Sequence, residues 1–153
     1  INTKEIKVNM EVSIPNALIA YKQKVSKEKS VKKHIAMEIL LELIAGKSSN
    51  LYKKLYEEGI ILQELDCSYE FTETYAHTII GSATNDPYKM RDYLNIEVEK
   101  LKKEGIDEES FERTKRMLYG NYVKIYNEIS DIGRMFLSDY FKGINSFDYL
   151  ECI

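Results

Sequence analysis

Between Glu5 and Ser13 the chain alternates, with Ile6, Val8, Met10 and Val12 on one side and Lys7, Asn9 and Glu11 on the other. A period of two sends successive side chains to opposite faces of an extended chain, so this segment is predicted to be a half-buried strand. Ile14-Pro15-Asn16 interrupts it, and the apolar run Ala17–Tyr21 is short enough for a second strand. From about Ser30 to Ala45 the period changes: Val31, Ile35, Ile39, Leu40, Leu43 and Ile44 recur at three- and four-residue steps, with Met37 and Leu41 widening the stripe. That spacing predicts a helix buried round most of its circumference. It is expected to close at Gly46, a residue type that accepts positive φ. Ser48 or Ser49 is placed to cap the next helix, with Leu51, Tyr52 and Leu55 inward and Gly59 as its stop.

Leu62–Glu70 and Thr74–Ala83 then read as two strands, the second rich in β-branched residues, with the turn at Thr72-Glu73. Asp86-Pro87 has the cap-then-proline order of a helix start. The helix that follows runs to about Glu104, with Tyr93, Leu94, Val98 and Leu101 inside and Gly105 at its end. Asp107-Glu108-Glu109 opens a longer helix carrying Phe111, Leu118, Tyr122, Ile125, Tyr126 and Ile129 in a 3.6 rhythm, its acidic first turn favourable to the helix dipole. A last helix from Ser130 to about Phe141 and Gly143 completes the expected order. Strand, strand, helix, helix, strand, strand, helix, helix, helix is an α+β layout, an antiparallel sheet covered by helices on one face. With no internal repeat and no linker, residues 1–153 are expected to form one domain. The start at Ile1 and the stop just after an aromatic-rich stretch suggest a domain excised from a longer chain.

Composition narrows the class. The 153 residues are 44% hydrophobic and 31% charged, which excludes a disordered or low-complexity chain. Lys+Arg 22 against Asp+Glu 25 leaves no basic excess to neutralise phosphates, so nucleic acid is not an expected partner. Six lysines do gather between Lys22 and Lys33, but without interleaved aromatics they read as a solvated approach to a helix. The longest nearly apolar stretch, Ile35–Ala45, carries Glu38 and Glu42 and is too short to cross a bilayer. No membrane association is expected, and the expected compartment is the cytoplasm. Cys67 and Cys152 lie far apart in a chain with ample core residues and are read as two idle thiols.

Candidate chemistry is sparse. His34 and Glu38, four apart on a helix, can reach the same ion, yet two ligands do not make a zinc site and the chain holds neither H-E-x-x-H nor H-x-x-E-H. The plainer reading is a polar helix face. His77 lies in a strand and faces solvent or a neighbouring hydroxyl more readily than it serves as a base. Gly46-Lys47-Ser48-Ser49 has the end of a phosphate loop without its first glycine, since position 41 is Leu41; it reads as an interhelical turn. Glu57-Glu58 and Glu108-Glu109 are ordinary helix-end charges. No catalytic residue and no metal ligand is assigned.

The stretch Leu43-Ile44-Ala45-Gly46-Lys47-Ser48-Ser49-Asn50-Leu51-Tyr52-Lys53-Lys54-Leu55-Tyr56-Glu57-Glu58-Gly59-Ile60 resembles a segment of the insulinase, or pitrilysin, family of zinc metallopeptidases, which includes the mitochondrial processing peptidases. Ile106–Leu118 is similar to that family's later E-E-containing helix start, and Asn85-Asp86-Pro87 stands between the two. The entry Val12–Lys22 is similar to that of bacterial processing-protease-like members, with Ala20 in place of glycine. The resemblance implies paired α+β domains, one half carrying an H-x-x-E-H zinc site and the other lacking metal. It places this chain with the non-metal domains of the C-terminal half. The implied cofactor is none in this chain, with zinc in the sister domain. The implied partners are a homologous metal-bearing domain or subunit and a peptide or protein substrate. In active members the non-metal half presents an Arg and a Tyr to substrate near the zinc. Here the Arg position holds Tyr56 and the Tyr position Leu62, or Gln63 with a one-residue shift. Neither replacement supplies a guanidinium, whose planar donors suit a carboxylate or oxyanion. Tyr56 is the sole substrate-contact candidate, and a surface or core aromatic is the plainer reading of it. The expected role is a non-catalytic wall of a peptide chamber. The alternative is a scaffold subunit of a degenerate peptidase pair.

Overall fold

The structure, a computed structural model, describes residues 3–25 and 30–153. Three strands form the sheet, in the order β1 (Asn16–Gln23), β3 (Ala76–Ala83), β2 (Asp66–Phe71), with both outer strands antiparallel to β3. The register pairs Ile19 with Ile80 and Cys67 with Ile80, so side chains of one parity line up across all three strands. Ile19, Cys67, Tyr69, Phe71 and Ile80 lie on the face that meets the helices. Thr72 closes the β2–β3 hairpin: its hydroxyl accepts from the backbone N–H groups of Thr74 and Tyr75, each at 3.2 Å.

The central element is α1 (Val31–Ala45), with Ser30 accepting from Lys33 N as N-cap. Its apolar positions surround the axis, as the sequence spacing requires, and they serve two clusters. Leu41, Ile44 and Ala45 pack with Leu51 and Leu55 of α2 (Asn50–Glu57), Tyr69 and Ile80 of the sheet, and Met90 and Leu94 of α3 (Pro87–Glu104). Val31, Ile35 and Ile39 pack on the other side against Tyr122 of α4 (Glu108–Ile125) and Tyr149 of α6 (Tyr149–Cys152). Between α4 and α6 come α5 (Ile129–Lys142) and one 3₁₀ turn, Ser146–Asp148. Of the two serines expected to cap α2 it is Ser49 that does so, the cap expected at Asp86 forms, and Asp107 also caps α4, each accepting from a backbone N–H three residues on.

The α+β class and the one-sided helical cover hold, and several element readings need correction. The stretch Glu5–Ser13 forms no strand: Ile6, Val8, Met10 and Val12 are 77%, 72%, 71% and 52% exposed, and no strand in the described residues pairs with them. The expected strand Leu62–Glu70 begins only at Asp66. Before it Ile61 makes an isolated bridge to Thr84, and Leu62 N donates to the Ala83 carbonyl. Gly46 does end α1, but at φ −66°, so positive φ is not its role. A β-carbon there would collide with the Glu42 side chain and carbonyl oxygen. The long helix stops at Ile125 rather than running through Ile129, which is 88% exposed. Tyr126, whose hydroxyl donates to the Ser146 carbonyl at 2.7 Å, ties the chain to the returning C-terminal segment at that point. That segment also holds the 3₁₀ turn and α6, beyond the last element expected. Of the basic stretch Lys22–Lys33, residues 26–29 lie outside the described residues.

Candidate functional site

The sheet is the feature a ligand could use. Helices cover one face, and the residues of opposite parity make the other: Leu18 across from Gly81 and Asp66, Ala20 from Ile79 and Ser68, Lys22 from His77 and Glu70. Leu18 is 73% exposed although it sits mid-strand, and Ala20, Lys22, Asp66, Ser68 and Glu70 on this face are exposed as well. His77 is half-buried on it, its ring stacked on Tyr75 with centroids 5.5 Å apart. Among the described residues no strand lies beside the outer edges of β1 and β2, and an unpaired edge offers backbone groups to an extended peptide.

The position that resembles the family's substrate arginine, Tyr56, lies on α2, 59% exposed and stacked on Tyr52 at 5.9 Å. Leu62 is exposed as well, and the Gln63 carbonyl accepts from Ser82 Oγ at 3.0 Å. No guanidinium stands in their place. Gly46–Ser49 is an interhelical turn, as read: Ser49 N donates to the Gly46 carbonyl, and the Ser49 hydroxyl is used in capping α2. Beside it a cleft of 370 Å³ is lined by Glu42, Lys47, Tyr52, Glu64, Met117 and Asn121 among others, with Lys47 held to Glu64 at 2.7 Å. Phosphate would meet two carboxylates there.

His34 is not on a polar face. It is 7% exposed, ringed by Tyr69, Phe71 and Tyr149 with centroids 5.8–5.9 Å away. The i, i+4 spacing does bring it to Glu38: His34 Nε2 lies 3.2 Å from Glu38 Oε1. The other carboxylate oxygen accepts from the Tyr122 hydroxyl at 2.9 Å. Tyr122 stacks on Tyr149 at 4.5 Å, and Tyr149 donates to Asp139 at 2.9 Å while Ser146 Oγ donates to the other Asp139 oxygen at 2.8 Å. Sequence reasoning missed Tyr122, Asp139, Ser146 and Tyr149 as a polar unit, because they come together only in space. Among the described residues nothing hydrogen-bonds to His34 Nδ1. As a zinc site the pair fails. Zinc needs at least three protein ligands, and the described residues bring no third His, Cys, Asp or Glu to His34 and Glu38. The unit fastens α4, α5 and α6 to α1 instead.

Its phenols should be visible on titration. Burial first, and then the neighbouring Glu38 carboxylate, push the Tyr122 phenol well above its ordinary 10.0; burial and then Asp139 do the same for Tyr149. Below that ordinary value both folded and unfolded chains hold these protons. Above it the unfolded chain releases them first and binds fewer protons, so stability falls as pH rises. Absorbance titration should therefore show two of the 12 tyrosines ionising only as the fold is lost. Tyr122→Phe should reduce the alkaline loss of stability, and full ionisation with the far-UV signal intact would contradict the account. Cys67 and Cys152 are free and half-buried, and burial pushes the Cys67 thiol up to about 12, so it is not a poised nucleophile.

A three-stranded antiparallel sheet with two helices between β1 and β2, covered by helices on one face and exposed on the other, is the α+β layout of this domain. The family described as Peptidase M16 inactive domain matches residues 1–118, and the chain belongs to that family. Over 156 residues it is 30% identical to the Bacillus subtilis (strain 168) protein called uncharacterized zinc protease YmfH, covering 98% of this chain and 36% of that one. The chain thus spans about a third of that relative's length. Among solved structures, an M16-like peptidase from Alicyclobacillus acidocaldarius superposes with TM-score 0.82 at 21% identity, over 92% of this chain and 34% of that one. The inactive peptidase domain of a zinc protease from Bordetella parapertussis gives TM-score 0.69 at 15% identity, over 95% of this chain and 81% of that one. These structural likenesses carry the fold. The chain is thus a domain of the inactive M16 type. No helix among the described residues is long and apolar enough to cross a membrane.

Proposed function

We propose that residues 1–153 form one domain of a longer peptidase, packed opposite a homologous half that holds zinc, and that the uncovered sheet face is a wall of the peptide chamber between them. The observation that carries this reading is the uncovered sheet face around Leu18 and Ala20, where a mid-strand leucine is 73% exposed. An extended peptide lying on that face would be positioned by strand edges and shallow apolar contacts, while water activation and bond cleavage belong to the zinc half. Catalysis gains from such positioning without any reacting group on the wall.

The test uses the protein expressed from its complete reading frame. It is expected to cleave unstructured peptides, to lose activity to a chelator and to regain it with zinc. Ile79→Glu, which puts a charge in the middle of the wall, is expected to raise KM about tenfold and leave kcat nearly unchanged, the pattern of lost uniform binding. An unaltered KM would remove the wall from the substrate path. The second reading, a scaffold subunit without hydrolysis, is favoured by Tyr56, Leu62 and Gln63 standing where a guanidinium and a phenol would be. Inactivity toward every peptide, untouched by Tyr56→Arg, would select it.

A further inference from the structure

The residues before β1 leave an alternating apolar row without cover. Residues 5–12 lie in no regular element, Val12 N donating to the Met10 carbonyl at 3.0 Å, and Thr84 N donating to the Pro15 carbonyl at 2.9 Å ties their C-terminal end. Among the described residues their side-chain anchor is at Tyr88, whose hydroxyl donates to Glu5 at 2.7 Å and whose ring centroid lies 5.3 Å from Lys7 Nζ. Ile6, Val8 and Met10 are each more than 70% exposed and Val12 is 52% exposed. Burying such a row is favoured, so in the working protein it calls for a partner. A period of two identifies the complement as a sheet. A helix groove selects three- and four-residue spacing, and a lipid surface selects a basic amphipathic helix, whereas this segment carries Lys7 against Glu5 and Glu11. Among the described residues neither edge of the domain's own sheet is paired, so a half built on the same plan presents the acceptor that such a strand needs.

We infer that residues 5–13 are an exchanged strand: they pair with the open edge of the sheet in the homologous half, and Ile6, Val8, Met10 and Val12 complete that half's apolar layer. This inference rests on the two-half reading above but not on zinc or hydrolysis. The strand, not the chamber wall, then holds the halves in register.

Backbone hydrogen exchange on the protein from the complete reading frame tests it. The amides of residues 5–13 are expected to exchange at least tenfold slower than an unstructured chain. Val8→Pro, which removes one ladder donor and stiffens the strand, is expected to release them together with one edge strand in the homologous half, while β3 stays protected. Free exchange of residues 5–13 in the unaltered protein would overturn the inference. Protection that disappears on dilution would assign the partner to a second copy and overturn it too. Protection with matching release in a protein that cleaves nothing would support the exchanged strand and count only against the peptidase reading.

Discussion

Leu55→Ala is expected to lower the free energy of unfolding by about 2–5 kcal/mol, the range for emptying a buried leucine site. Leu55 has no exposed surface and lies where α2 meets the sheet-side cluster formed by α1, α3 and β3. The site has little scope to collapse into the space, because its backbone is fixed from the C-terminal side: Ile60 N donates to the Leu55 carbonyl at 2.9 Å and Ile61 N at 3.3 Å. Domains have roughly 5–15 kcal/mol in total, so the variant should sit near the limit of folding. Urea unfolding should show a lower midpoint with an unchanged slope, and Leu55→Met, which nearly conserves volume, should lose under about 1.5 kcal/mol. A midpoint unmoved by the alanine would mean that the cluster is not the core of the domain.

Asp139→Ala should come second, at about 2–4 kcal/mol, because two hydroxyls are then buried without an acceptor and each such loss costs about 1–3 kcal/mol. Asp139 is 2% exposed, and the Tyr149 and Ser146 hydroxyls are its acceptor-seeking neighbours. Tyr149→Phe removes one donor and leaves the carboxylate with the other, so its cost should be smaller. In the double variant the two losses should fall short of additivity, the signature of a shared bond. Strict additivity would show that Tyr149 and Asp139 act separately. The effect is confined to the C-terminal helices, so near-UV absorbance of Tyr122 and Tyr149 should report it more sharply than the far-UV signal.

What the sequence made legible is what neighbouring residues decide. Helix starts at Ser49, Asp86 and Asp107 follow from side chains that reach their own backbone three residues on, and they need no tertiary contact. The apolar periodicity of residues 31–45 likewise fixed which face of α1 could be buried, and the answer was nearly all of it. Periodicity failed where it was asked about partners. Ile6 to Val12 alternate as a strand does, yet alternation records a face that wants cover and says nothing of whether the cover is in the same chain. Ile129 continues the rhythm of α4 but lies beyond a break set by Tyr126 and Ser146, 20 residues apart in sequence. The His34–Glu38 contact was readable because helix geometry brings i and i+4 together. Their attachment to Tyr122, 84 residues from Glu38, was not. For the candidate site the family motifs identified the class of domain, while the open sheet face required the strand order.

Because α1 stands between two otherwise separate apolar clusters, the molecule has an ordered sequence of local opening. The helices beyond Gly105 meet the remainder chiefly along one side of α1, so they can detach as a cooperative unit and leave the sheet, α2 and α3 intact. The reverse is not available: loosening α1 exposes both clusters at once. A protease that samples rare open forms would therefore trim from the C-terminal side first, and the surviving fragment would keep the sheet.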